Sequence, residues 1–140
     1  MNSKINDMKK NLLLICFLAV VLHLRAQDIN TPRELAQLQL EAYNTKDIDR
    51  FLSAYSDSVE VFTFPNKLQY RGIAAMRKNY AGFFERMPAV NCEILSRIVH
   101  GQTVIDHEKL TGFENQQLVY AVAIYIVAHG KIQKVYFVRE

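Results

Sequence analysis

Three side chains able to move protons stand in a row at Asp106, His107 and Glu108, inside a stretch from Thr103 to Thr111 whose composition reads as a strand. Neighbours along an extended chain face opposite sides, so Asp106 and Glu108 share one face and His107 takes the other. That excludes a direct Asp-His dyad and leaves two carboxylates side by side. A carboxylate walled by Val, Ile, Leu and Phe has its ionised form disfavoured by desolvation, which suits it to general acid or base work. Asp106 is the leading catalytic candidate on this ground. If Gly101-Gln102 is a two-residue turn, however, Arg97 stands opposite Asp106 and Ser96 opposite His107. A structural Arg97–Asp106 cross-strand ion pair is then an equal reading of the same residues.

Other chemistries lack their residues. The histidines show no HxxxH-type spacing and no partner cysteine, so no metal site is expected. There is no Gly-x-Ser-x-Gly turn, and the five glycines form no phosphate-cradling loop, so no cofactor is expected.

The elements that must hold these groups are well punctuated. Thr31-Pro32-Arg33-Glu34 opens a helix with a capping threonine, a proline in the first turn and a glutamate three residues after the cap. Leu35, Leu38, Ala42 and Tyr43 form its apolar stripe, which breaks at Asn44-Thr45-Lys46. A second short helix carries Ile48, Phe51, Leu52 and Tyr55 on one side. Val59 to Phe64 reads as a strand stopped by Pro65-Asn66, and Leu68 to Tyr70 can pair back on it. Apolar residues then recur at Ile73, Met76, Tyr80, Phe83, Phe84 and Met87 as one helical face, assigned to the core, before Pro88. Strands follow at Val90–His100, Thr103–Thr111, Leu118–Ala128 and Lys131–Arg139. The run from Leu118 to Ala128 has no polar face, which predicts cover on both sides. Helices supply one cover and a second subunit the other, so a homodimer through the sheet is expected.

The N-terminus has a separate logic. Lys4, Lys9 and Lys10 precede an unbroken apolar run from Leu12 to Leu22, closed by His23 and Arg25, with Ala26-Gln27 beyond. This is the layout of a secretory signal peptide over residues 1–26, cleaved after Ala26, either from Met1 or from a start at Met8. The run is shorter than the roughly 18 apolar residues a membrane span needs, so no span remains after cleavage and an exported protein is expected. Residues 1–26 hold four of the 17 Lys/Arg and one of the 14 acidic side chains, leaving 13 of each in 27–140. The positive balance belongs to the leader, and a nucleic-acid partner is not expected. Cys92 is the one cysteine beyond the leader, so no internal disulfide forms, and burial in a strand is its expected place.

Glu41-Ala42-Tyr43-Asn44 with Asp47-Ile48-Asp49, Tyr55 to Val61, Tyr70-Arg71-Gly72 with the helix to Phe84, Val104-Ile105-Asp106-His107-Glu108 to Thr111-Gly112, and Gly130-Lys131-Ile132 together resemble the SnoaL-like branch of the nuclear transport factor 2-like superfamily. The resemblance covers nearly all of residues 27–140 and implies one α+β domain. Its implied form is a cystatin-like, cone-shaped roll of curved, mostly antiparallel sheet around an N-terminal helical layer, in the order ααβ(β)αβββ. It also implies a pocket for a small apolar organic ligand, served in some members by cofactor-free lyase or isomerase chemistry. The ketosteroid isomerase pattern itself fails here. By alignment through Asn44, its oxyanion tyrosine falls on Gln39, its base on Thr63 or Phe64, and its protonated aspartate on Ala123 or Ile124. If His129-Gly130 is a two-residue turn, Tyr120, Val122 and Ile124 share a face with Val135, Phe137 and Arg139, and the resemblance makes that the concave face. Ligand contacts are then expected from Glu108, Arg97, Tyr120, Phe137 and Arg139 around Asp106.

Overall fold

The structure, a computed structural model, describes residues 31–139, without the side chain of Arg139. The leader expected over 1–26 lies outside the described residues. Helix α1 (Pro32–Thr45) begins as its sequence predicts: the Thr31 hydroxyl accepts from the Glu34 amide at 3.3 Å, and the Glu34 carboxylate accepts from the Thr31 amide at 3.2 Å. It ends at Lys46, whose backbone is left-handed at φ 60°. The Lys46 ammonium donates to the carbonyls of Tyr43, Asn44 and Val90, which satisfies orphaned helix-end acceptors and pins them to the start of the third strand. Helix α2 (Ile48–Leu52) is capped by Asp47.

Tyr55 is not part of α2. It opens strand β1 (Tyr55–Thr63), pairing with Ile132, while the neighbouring Ala54 carbonyl accepts from the Ile132 amide at 2.9 Å. Strand pairing overrides the helical spacing of Phe51 and Tyr55, although their rings still meet at 5.1 Å. Strand β2 (Lys67–Arg71) pairs back antiparallel on β1, and α3 (Ile73–Arg86) follows. Four strands come after α3, one more than the shorthand order counted: β3 (Asn91–His100), β4 (Thr103–Thr111), β5 (Val119–Ala128) and β6 (Lys131–Arg139).

These form one curved, open, mixed sheet in the order β2-β1-β6-β5-β4-β3, in which only β1 and β6 run parallel. Helix α1 lies across β3 to β6, and α3 leans on β1 and β2. The β3–β4 register matches the expectation from the Gly101-Gln102 turn, with Arg97 opposite Asp106 and Ser96 opposite His107. The β5–β6 register does not. Its turn is where expected, but a bulge at Gln133 shifts the pairing after Val127↔Ile132 to Ile126↔Lys134. One extra residue reverses the relation between the two strands. Ala121, Ala123, Tyr125 and Val127 therefore face inward with Val135, and Val122 and Ile124 face out. Tyr120 goes with the outer set, 49 % exposed and beside His107, and is not a pocket residue.

The outer face carries an apolar row in register across five strands: Phe62, Tyr136, Ile124, Ile105 and Ile98. Phe62 stacks on Tyr136 with centroids 4.8 Å apart, and Ile98 is 60 % exposed. Gly112, just past β4, has φ +85°, and a Cβ there would lie 2.0 Å from the Ala89 carbonyl oxygen, so this corner admits only glycine. No described helix is long and apolar enough to cross a membrane.

Candidate functional site

Because α1 covers one half of the sheet and α3 the other, a cavity of about 690 Å³ remains between the helices and the inner face. Its walls are largely aromatic, with Tyr43 of α1, Tyr80 and Phe83 of α3, Phe137 of β6 and Phe113 from the loop after β4. The apolar face of α3, expected to be all core, divides. Met76 and Phe84 are buried, whereas Tyr80 and Phe83 serve the cluster around Tyr43 and line the cavity as well.

The polar groups of the cavity sit at two levels. At depth lie Gln39, Glu108 and Tyr125, each no more than 6 % exposed; at the open end lie Gln69, Asn79 and Arg86, all exposed. The deep set is wired with a direction. Gln39 Nε2 donates to the Tyr125 hydroxyl at 3.0 Å and to the Ala36 carbonyl at 3.2 Å, and Gln39 Oε1 accepts from Tyr55 at 3.2 Å. A phenol has one proton to give. With the amide donating to it, Tyr125 directs that proton to Glu108 Oε1, 3.1 Å away. Burial first, and then the charge of Glu108, pushes the Tyr125 phenol well above its ordinary range. Burial, the neighbouring Tyr70 and Glu108 do the same at Tyr55, so both remain donors.

Asp106 occupies a different compartment. It is fully buried one inner-face position before Glu108, and Arg97 holds both its oxygens, Nε to Oδ1 at 2.6 Å and Nη2 to Oδ2 at 2.7 Å. Those bonds raise the pKa of the guanidinium, which also donates to Gln37 of α1 at 3.1 Å. Neither Asp106 nor Arg97 lines the cavity. The expectation that both carboxylates enter the pocket is corrected here: α1 lies directly over the Arg97–Asp106 rung and closes it off, and Glu108 is the carboxylate that reaches the space.

Phe137 lines the cavity as expected. Arg139 pairs with Ala121, but its side chain is outside the described residues. Cys92 is buried in β3 and borders the cavity, and burial holds its thiol far above the usual range. His100, His107 and His129 are exposed. Among the described residues no group of three His, Cys, Asp or Glu could hold a metal ion.

Gln39, Tyr125 and Arg86 were not singled out as site residues from the sequence. Gln39 had a signal, an amide one turn after Leu35 in the α1 stripe. Two positions at which the isomerase pattern fails, Gln39 and Thr63, do border the cavity, so the alignment located the space even where the chemistry differed.

The sequence pattern of the SnoaL-like domain family matches residues 36–135. An uncharacterized cystatin-fold protein from Novosphingobium aromaticivorans is 24 % identical with a TM-score of 0.72, over 78 % of this chain and 98 % of that one. A putative polyketide cyclase from Sinorhizobium meliloti is 15 % identical at a TM-score of 0.65, over 79 % and 98 %. A putative ketosteroid isomerase from Kribbella flavida is 16 % identical at 0.63, over 78 % and 77 %. At these identities the likeness is one of fold. No curated protein matches the chain.

Proposed function

The chain belongs to the SnoaL-like domain family, and from that premise we propose that its cavity takes up a small, mainly apolar organic molecule on which Glu108 performs cofactor-free acid–base chemistry. One observation carries the reading: a buried carboxylate faces an aromatic cavity and is oriented by a phenol whose own proton is directed by Gln39. Such a carboxylate can take a proton from an activated carbon or hydroxyl of the ligand. Returning it to another atom of the same molecule is isomerisation, and passing it to a departing group is a lyase reaction. The Tyr125 hydroxyl donates to the carboxylate and holds it in place. The steroid isomerase device, with a phenol and a protonated aspartate donating to one oxygen, has Gln39 and either Ala123 or Ile124 in its place, which disfavours that mechanism.

The test starts from whatever organic molecule copurifies with the protein, identified by native mass spectrometry. On that compound Glu108→Gln is expected to lower turnover by about 10²–10⁴-fold while the melting temperature and ligand affinity change little. Turnover equal to wild type would overturn the assignment.

A second reading, non-catalytic assembly in the envelope, rests on the outer apolar row from Phe62 to Ile98. Self-association through this face is compatible with a working cavity on the other, and the proposal includes it together with export. The exported protein is expected to begin at Gln27 and to run at twice the monomer mass, and Ile124→Lys to halve that mass. A chain that keeps residues 1–26 after export counts against the leader, and a wild-type monomer against the dimer.

A further inference from the structure

Among the described residues that line the proposed cavity, charge stands at two places, and the two differ in sign. Glu108 is the carboxylate among its lining residues and is buried at depth; Arg86 is the cation and is exposed at the open end. Arg50, Arg71, Arg77 and Arg97 each rest on a carboxylate. Arg86 makes no ion pair among the described residues, although it stands in the last turn of α3 with solvent and cavity both in reach.

A second observation concerns the residue one turn earlier. Gly82 sits inside α3, where glycine costs about 1 kcal/mol relative to alanine. The Arg86 guanidinium lies back over it, with Nη1 3.1 Å from the point a Cβ would occupy. A Cβ at position 82 would make the guanidinium give by a few tenths of an ångström. The glycine thus gives Arg86 a seat along the helix surface.

Resting on the proposed ligand cavity, we infer that its ligand is an amphipathic organic acid, entering with its apolar body inward and its carboxylate held at the mouth by Arg86. The alternative orientation carries the acid's carboxylate out of water into the buried floor and leaves Arg86 to solvent, which costs the carboxylate its hydration. Asn79 and Gln69 add exposed amides at the same end. Arg86 therefore fixes direction as well as class. The acid stays near water, and the carbon or hydroxyl that reacts is carried down to Glu108 and Tyr125.

The test uses 1-pyrenebutyrate and its primary amide, which share a fluorescent apolar body and differ in charge. Titrated into the mature protein at low salt, the acid is expected to bind about five-fold more tightly than the amide, the contribution of one partly exposed charge pair. Added salt should narrow that gap. Arg86→Gln should remove it and leave the amide affinity unchanged, and Arg86→Lys should keep part of it. Ile124→Lys on the outer face should alter neither titration, which places the probes in the cavity. Equal binding of acid and amide by wild type, or a preference that survives Arg86→Gln, overturns the organic-acid inference while the cavity reading stands. Binding of neither probe overturns both.

Discussion

Arg97→Met is expected to lower stability by about 3–5 kcal/mol, read as a shifted denaturant midpoint with unchanged slope. The cause is what remains: Asp106 is fully buried, and both its oxygens depend on that guanidinium. The double variant Arg97→Met, Asp106→Leu removes both charges and fills similar space, so it should recover most of the loss, because a well-packed apolar pair often equals a buried ion pair. Glu108 lies outside this rung, and ligand binding by the double variant should persist. A loss below about 1 kcal/mol in the single variant would mean that Asp106 finds another partner or water, and would reopen it as a candidate for chemistry.

In strong alkali the expected effect is as large. Burial, ahead of neighbouring phenols and carboxylates, raises the pKa of Tyr55, Tyr80 and Tyr125 well above the ordinary 10. The folded state therefore prefers the protonated phenol, whereas the unfolded chain releases the proton near pH 10. Stability from these groups is complete below about pH 10 and declines above it until the folded-state values are reached. Each phenol removes about 1.4 kcal/mol of stability per pH unit across that window, and the loss is steepest where the three windows overlap. Phenolate absorbance from three of the seven tyrosines should appear only as the helical circular dichroism is lost. Their reversible ionisation with the helical signal intact would refute the prediction.

Much of the fold is legible because local chemistry marks it. Thr31 and Glu34 state where α1 begins, and the Gly101-Gln102 turn sets Arg97 opposite Asp106, with an ion pair and a catalytic carboxylate left as equal readings. The β5–β6 pair is different. An unbroken apolar run from Val119 to Ala128 carries no polar residue to declare its inner face, and a single bulge at Gln133 leaves no signature that an ordinary surface glutamine would not. The choice between Tyr120 and Tyr125 hung on that residue. Glu108 was visible as a partner of Asp106, but which carboxylate meets the cavity depends on where α1 crosses the sheet, a tertiary fact. Arg86 reads in sequence as a basic residue in a last helical turn, favourable to the helix dipole and otherwise unremarked.

The position of β6 between β1 and β5 has a consequence for the order of folding. Without β6 the sheet is two unconnected pieces, β2-β1 and β5-β4-β3. Each piece can form from local hairpins, but the join requires the chain segment that follows all the others, including a parallel pairing with a strand far behind it, and closing so long a loop is slow. Val61 and Thr63 belong to one piece, Glu108 and Tyr125 to the other. The cavity therefore has walls on both pieces, and they stand together only where β6 joins them.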